Sequence, residues 1–265
     1  MQQNNKSTRK RRAMTTERAR EVKLAGHAVE KEFADLIGGK VYRGTRKKDV
    51  LDAQGNIHSV KSGDNKWQIF LYSKKRFETS IGFLGAPYFL ACIDAFPKNR
   101  EEYESNKKKF KSALEPRMIA LKKFLLKKED GIFLQTNKMI FLQEAIFHSS
   151  EVDYLAIKKE NIFHIFDAEE VIKIINNATT IENSKASQTG QMNNQKVIFK
   201  LADSNITIGE IEMRNESDAH YKQMKFWMSK DKTIELLKTK INLAKKKSDK
   251  VIAYGKAVGR FKKIK

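Results

Sequence analysis

Four side chains near the start of the chain have the types and spacing to act together on a phosphate ester. Asp49 and Asp52 flank one short extended segment, Lys61 closes the next, and Glu30 sits on the helix before them. Phosphodiester hydrolysis uses a magnesium ion held by hard carboxylate oxygens. The ion polarises the phosphate and lowers the pKa of a bound water. A nearby Lys orients that water and offsets the developing charge. The turn Ala53-Gln-Gly-Asn56 between the two segments predicts a hairpin. A hairpin brings one strand's Asp and the other's Lys to the same edge.

A second acidic group lies downstream. Asp203 precedes a strand on which Glu210 and Glu212 share one face, a spacing that suits a divalent metal. Arg214 then stands where a Lys is wanted, and a guanidinium cannot exchange protons near neutral pH. The run continues through Asn215, His220, Lys222 and Lys225 to Trp227. Arg and Asn read base edges in a bidentate way and Lys meets phosphate, so residues 205–230 are expected to recognise DNA. Asp203, Glu210 and Glu212 form the alternative catalytic set. His58 lies three before Lys61, and His148, His164 and His220 have no metal-cluster spacing.

The elements that must position these groups follow from periodicity and punctuation. A helix is expected from Thr16 to Ile37, capped by Thr15 or Thr16 and ended by Gly38-Gly39. Strands are expected at Lys40–Tyr42, Asp49–Leu51, Ile57–Lys61, Trp67–Tyr72 and Tyr88–Ala95, the last as a buried central strand. A charged helix follows over Glu101–Lys128, then paired strands at Ile132–Leu134 and Met139–Leu142. A hairpin at Tyr154–Ile157 and Ile162–Phe166 and a helix at Ala168–Ile175 complete the first part. Ala178–Asn194 is polar and reads as a linker or loop. Strands at Val197–Leu201 and Ile206–Glu212 and a long helix from Asp218 to Lys247 come last. The fold class is α/β or α+β, with a mixed central sheet flanked by helices and a C-terminal β/α extension.

Composition points to the partner. The chain has 53 Lys and Arg against 32 Asp and Glu, a formal net charge of +21 over 265 residues. Such an excess strains a compact fold, and a polyanion relieves it. Residues 1–24 carry +6 and residues 193–265 carry +10, leaving +5 for the 168 between. This predicts two basic arms, Arg9-Lys-Arg-Arg12 and Lys240 to Lys265, that follow a phosphate backbone. A single cysteine, Cys92, excludes a disulfide framework and a cysteine-rich zinc module. No apolar run reaches the length of a membrane span, and no apolar segment follows the basic start, so a cytoplasmic location is expected.

Gly26-His-Ala-Val-Glu30, Gly38-Gly39, Arg43-Gly-Thr-Arg-Lys-Lys-Asp49-Val and Ile57-His-Ser-Val-Lys61 together resemble the core of the PD-(D/E)XK nucleases. That superfamily includes most type II restriction endonucleases and the archaeal Holliday-junction resolvases. The resemblance covers roughly residues 20–95, with Trp67–Tyr72 and Tyr88–Ala95 as later core strands. It implies that Asp49 binds metal, that Lys61 is the catalytic Lys, and that Glu30 is the helix carboxylate some members add. The position two before the Lys departs from the pattern: it is Ser59, a poor metal ligand, so Glu30 or Asp52 must supply the second carboxylate. The resemblance implies a magnesium-dependent, site-specific endonuclease for double-stranded DNA, working as a homodimer with no small-molecule cofactor. A non-catalytic nucleic-acid-binding protein and a structure-specific nuclease are the alternatives. Arg43, Arg46, Lys66, Gln68, Arg214, Asn215, His220, Lys222 and Lys225 are the expected DNA contacts. The organisation expected is a basic arm at 1–15, a nuclease core at 16–175, a linker at 176–194 and a recognition region at 195–265.

Overall fold

The computed structural model describes residues 15–42, 48–63, 66–79, 83–128, 136–148, 151–189 and 191–261. The chain opens with helix α1, Thr16–Ile37. The Thr15 Oγ1 accepts from the Arg18 N–H at 3.2 Å, and Gly38 ends the helix in the left-handed region at φ 66°. Three short strands follow: β1 (Lys40–Val41), β2 (Val50–Leu51) and β3 (Ile57–Lys61). Next come β4 (Lys66–Tyr72), α2 (Lys74–Thr79), α3 (Ala86–Asp94), α4 (Arg100–Ser105), α5 (Lys107–Leu126) and α6 (Asn137–Phe147). The hairpin β5 (Tyr154–Lys159) and β6 (Ile162–Asp167) leads into α7 (Ala168–Ala178). Strands β7 (Thr179–Asn183), β8 (Lys196–Leu201), β9 (Thr207–Arg214) and β10 (Gln223–Ser229) precede α8 (Lys230–Lys240). The hairpin β11 (Ala244–Ser248) and β12 (Val251–Tyr254) and helix α9 (Lys256–Arg260) finish the described chain.

Two sheets, where one was expected, share the strands. The seven-stranded sheet has the order β1-β2-β3-β5-β6-β12-β11 and is mixed, with β3–β5 and β6–β12 parallel. The five-stranded sheet, β4-β10-β9-β8-β7, is antiparallel throughout. The hairpin β5–β6 shows why the seven-stranded sheet is buried on both faces. Leu155, Ile157 and Phe166 point into the main core with α6 and α7, while Tyr154, Ala156, Phe163 and Ile165 point to a second core with Phe33, Ala34, Val251 and Phe261. The main core also holds the inner face of the other sheet, where Phe70, Phe141, Phe199 and Phe226 meet with centroids 5.3–6.3 Å apart. Among the described residues no helix is long and apolar enough to cross a membrane.

Several expectations are corrected here. Tyr88–Ala95 lies mostly in a helix, α3, with Pro87 in its first turn and Phe89, Cys92 and Ile93 buried at helical spacing. An eight-residue apolar run does not distinguish the two, and the Gly-Ala-Pro start decides it. Met139–Leu142 belongs to α6, whose cap Thr136 Oγ1 accepts from the Met139 N–H at 3.2 Å. Ile132–Leu134 lies outside the described residues. The charged helix breaks at Asn106, which caps α5. The expected helix Asp218–Lys247 is helical only over α8; it opens with a short 3-10 turn at Asp218–His220 and strand β10, with Met224, Phe226 and Met228 buried at period two, and its end is β11. The first part of Ala178–Asn194 is β7, paired with β8, and the described residues after it form the loop between those strands. Strand β4 pairs with β10, so it is not a neighbour of β3, and β10 and β12 tie the C-terminal region into both sheets. The division at 194 therefore separates no folding unit. The C-terminal basic stretch is likewise no free arm through Phe261, because β11 and β12 are strands of the seven-stranded sheet and Ala257 of α9 and Phe261 are buried in the second core. Residues 1–14 and 262–265 lie outside the described residues.

Candidate active site

The β2–β3 hairpin is set by a turn made around one carboxylate. Asp52 accepts from the N–H groups of Gln54 and Asn56 and from the Asn56 side-chain amide, each at 2.9 Å. Its Oδ2 also lies 3.0 Å from His58 Nε2. Burial pushes the Asp52 carboxyl upward, and the bonds from His58 and Asn56 outweigh it, holding the group at about 2. His58 is fully buried, stacked on Tyr154 at 5.0 Å and met edge-on by Phe33 and Phe261. This turn fixes the register Val50↔His58, which places Asp49 opposite Ser59. Lys61, two residues on, falls on the same face.

The result is a contact between the two residues singled out from spacing. The Lys61 Nζ donates to Asp49 Oδ2 at 3.1 Å, with side chains 25% and 17% exposed. The Val60 N–H donates to the same oxygen at 2.6 Å and the Ser59 Oγ at 3.2 Å. Lys61 also donates to the Val60 carbonyl at 3.2 Å. Asp49 and Lys61 open onto a cavity of about 660 Å³ whose other wall is β4, β10, α2 and the end of α6. Gln68, Gln223, Arg76 and His148 line it. Arg76 lies 5.4 Å from the centroid of the Tyr72 ring, and His148 takes a left-handed conformation at φ 48° as the C-cap of α6. Sequence reasoning missed Arg76 altogether and set His148 aside. His148 follows an apolar helical run directly, a signal that marks a helix end but not what it faces.

The other expected site residues lie elsewhere. Glu30 pairs with His27 at 3.0 Å along α1 and does not line the cavity. Asp52 has both oxygens committed to the turn and to His58, so it is not free to ligate a metal. The downstream acids are also spoken for. Glu210 and Glu212 share a face of β9 as read, but the Lys196 Nζ lies 2.8 Å and 2.9 Å from them, and Lys225 lies 3.4 Å from Glu212. Burial raises the Glu212 carboxyl, and the charges of Lys196 and Lys225 prevail and lower it. Asp203 is 84% exposed and lies 3.6 Å from Lys240. Among the described residues no cluster of three His, Cys, Asp or Glu could hold a metal ion.

Of the expected DNA contacts, Gln68 lines the cavity and Lys66 is exposed beside it, its Nζ 3.8 Å over the Trp227 ring. Trp227 itself is buried on strand β10. Lys225 is engaged by Glu212, and Arg214 reaches Glu216 at 3.0 Å. Asn215 donates to the Tyr103 hydroxyl at 2.8 Å, while its carbonyl accepts from Arg100, so it anchors a loop. His220 is exposed in a short turn. Lys222 adopts φ 57°, and its ammonium pKa is lowered by burial. Arg43 and Arg46 lie outside the described residues.

A magnesium ion fits this donor set only with help. Asp49 is the one carboxylate among the cavity's described lining residues, and the hydrogen bonds its side chain accepts from Ser59, Val60 and Lys61 all fall on Oδ2. Magnesium keeps several waters and is commonly bound by one or two carboxylates plus substrate phosphate. Asp49 offers one such carboxylate, and none of the cavity's other described lining residues offers a second. No protein-family model matches the chain, and neither does any curated protein or solved structure.

Proposed function

We propose that the chain is a magnesium-dependent endonuclease that hydrolyses phosphodiester bonds of double-stranded DNA, in the manner of a type II restriction enzyme. The observation that carries this reading is the 3.1 Å contact of Lys61 with Asp49 at the mouth of a polar cavity. The order of helix, Asp strand, turn and Lys strand resembles the PD-(D/E)XK core, and the mixed sheet flanked by helices is compatible with it.

In this reading Asp49 is the residue that holds the metal, which when bound polarises the phosphate and acidifies a water. Lys61, beside Asp49, orients the attacking water and offsets negative charge as the bond to phosphorus breaks. Arg76 faces the same cavity and supplies a bidentate donor for a phosphate oxygen. The amides of Gln68 and Gln223, on adjacent antiparallel strands, stand where base edges would be read. Two-fold cutting of a duplex further suggests a homodimer.

One observation favours a second reading, a nucleic-acid-binding protein without catalysis. Ser59 gives Asp49 a hydrogen bond in place of a second metal carboxylate, and Val60 and Lys61 complete a set of bonds that also serves to pin β2 to β3. Incubation with unmethylated supercoiled plasmid across magnesium, manganese and calcium separates the two. Discrete linear fragments with magnesium support the nuclease. Gel retardation with no nicking under any of these metals supports the binding protein.

A further inference from the structure

The balanced charge of the chain's middle hides a steep local excess. Residues 107–128, which are α5 and the two residues after it, hold nine Lys and Arg and one acid, Glu115. The first turn carries Lys107, Lys108 and Lys109 with no acidic residue, so three cations sit at the helix end whose dipole disfavours them. Only Lys107 among these nine has an ion pair within the described residues, to Glu104. The lone acid is drawn to one side, where the Asn194 amide donates to Glu115 at 2.6 Å. A fold that needed only solubility would interleave acids along this face.

The geometry sorts the lysines onto the solvent side. Phe110, Leu114, Met118, Leu121 and Leu125 are buried beneath the helix. Lys108, Lys109, Ser112, Pro116 and Lys123 form an exposed stripe opposite them. Lys109 and Lys123 are fourteen residues apart, about 21 Å along the axis. A duplex strand places a phosphate every ~3.4 Å, so this stripe matches a run of about six phosphates.

We infer that the outer face of α5 is a docking surface for the sugar-phosphate backbone of double-stranded DNA. The contact uses no base edge and adds affinity without sequence preference. It does not depend on the chain being able to cut, because it concerns binding alone.

The test is binding of a fluorescent 30-base-pair duplex in EDTA over a range of salt concentrations. The wild-type chain is compared with K108E/K109E/K123E and with K31E/K173E/K185E, a control with the same change in net charge on other exposed lysines. The α5 variant is expected to melt within about two degrees of wild type. It should lose on the order of tenfold or more in affinity, with a salt slope shallower by about two to three. The control should keep most of the wild-type affinity and slope. Equal losses in both variants would reduce the effect to net charge and overturn the proposal. So would an unchanged slope in the α5 variant, or α5-dependent binding to anionic phosphatidylserine vesicles with none to DNA.

Discussion

Replacing Asp52 tests whether this carboxylate builds the hairpin or serves a metal. In Asp52→Asn the side chain keeps its shape and loses its charge. Its carboxyl is held at about 2 against an ordinary 3.8, which at full burial corresponds to about 2.4 kcal/mol of stability. The turn exposes Gln54 and Gly55 to water, and that screening cuts the figure to about 1–2 kcal/mol. Asp52→Ala does more, because it strips Nε2 of its partner in the fully buried His58, whose Nδ1 already has none. An orphaned buried donor costs about 1–3 kcal/mol, so the total should reach about 2–4 kcal/mol, or on the order of 10 °C in melting temperature. Because the native carboxyl titrates below its unfolded value, this stability is present above about pH 4 and is lost as pH falls toward 2. Urea denaturation of wild type and both variants at pH 7, 4, 3 and 2.5 measures it. The gap should be widest at pH 7 and should narrow below pH 4. A gap under about 0.5 kcal/mol at pH 7, or loss of magnesium-dependent cleavage at full stability, would refute the structural role.

Three further outcomes follow from the same geometry. Lys196→Met should cost about 1–3 kcal/mol at pH 7 by leaving Glu210 and Glu212 side by side on β9. Since Glu212 is held below its ordinary value, that loss should fade as pH falls through the carboxylate range, read as urea midpoints against pH. Gly255 sits at φ 53°, where an added Cβ would collide with the Glu170 carboxylate. Gly255→Ala should therefore destabilise by about 2–4 kcal/mol, and adding Glu170→Ala should restore only the part due to the collision, as a thermal melt of both variants will show. Arg76→Ala should slow plasmid cleavage about tenfold or more while leaving the melting temperature within a degree or two, because Arg76 lies on the exposed side of α2.

The local part of this molecule was legible in its sequence. Thr15 and Gly38 mark the ends of α1, and the turn at residues 53–56 predicts the strand return that brings Lys61 to Asp49. The hairpin at β5–β6 shows the same alternation and turn. What lay out of reach was set by distant pairing. Gln68, Arg76, His148 and Gln223 are separated by up to 155 positions, and only the pairing of β4 with β10 and the packing of α6 gather them at one cavity. Short apolar runs misled for a related reason: Tyr88–Ala95 and Gln223–Ser229 differ in helix and strand outcome mainly through a flanking Pro87 and a period-two burial that tertiary context fixes. Net charge by region also misled, since the acids elsewhere in the middle cancel the excess on α5.

The central claim is that Asp49 and Lys61 act as one unit on a phosphodiester. Single-turnover cleavage of supercoiled plasmid with magnesium should be measured for wild type, Asp49→Asn, Lys61→Met and the double variant. Each single change should slow cleavage by about a hundredfold or more, and the double should be no slower than the worse single. Wild-type rates in Asp49→Asn, above all with cleavage abolished by Glu212→Gln, would contradict the account.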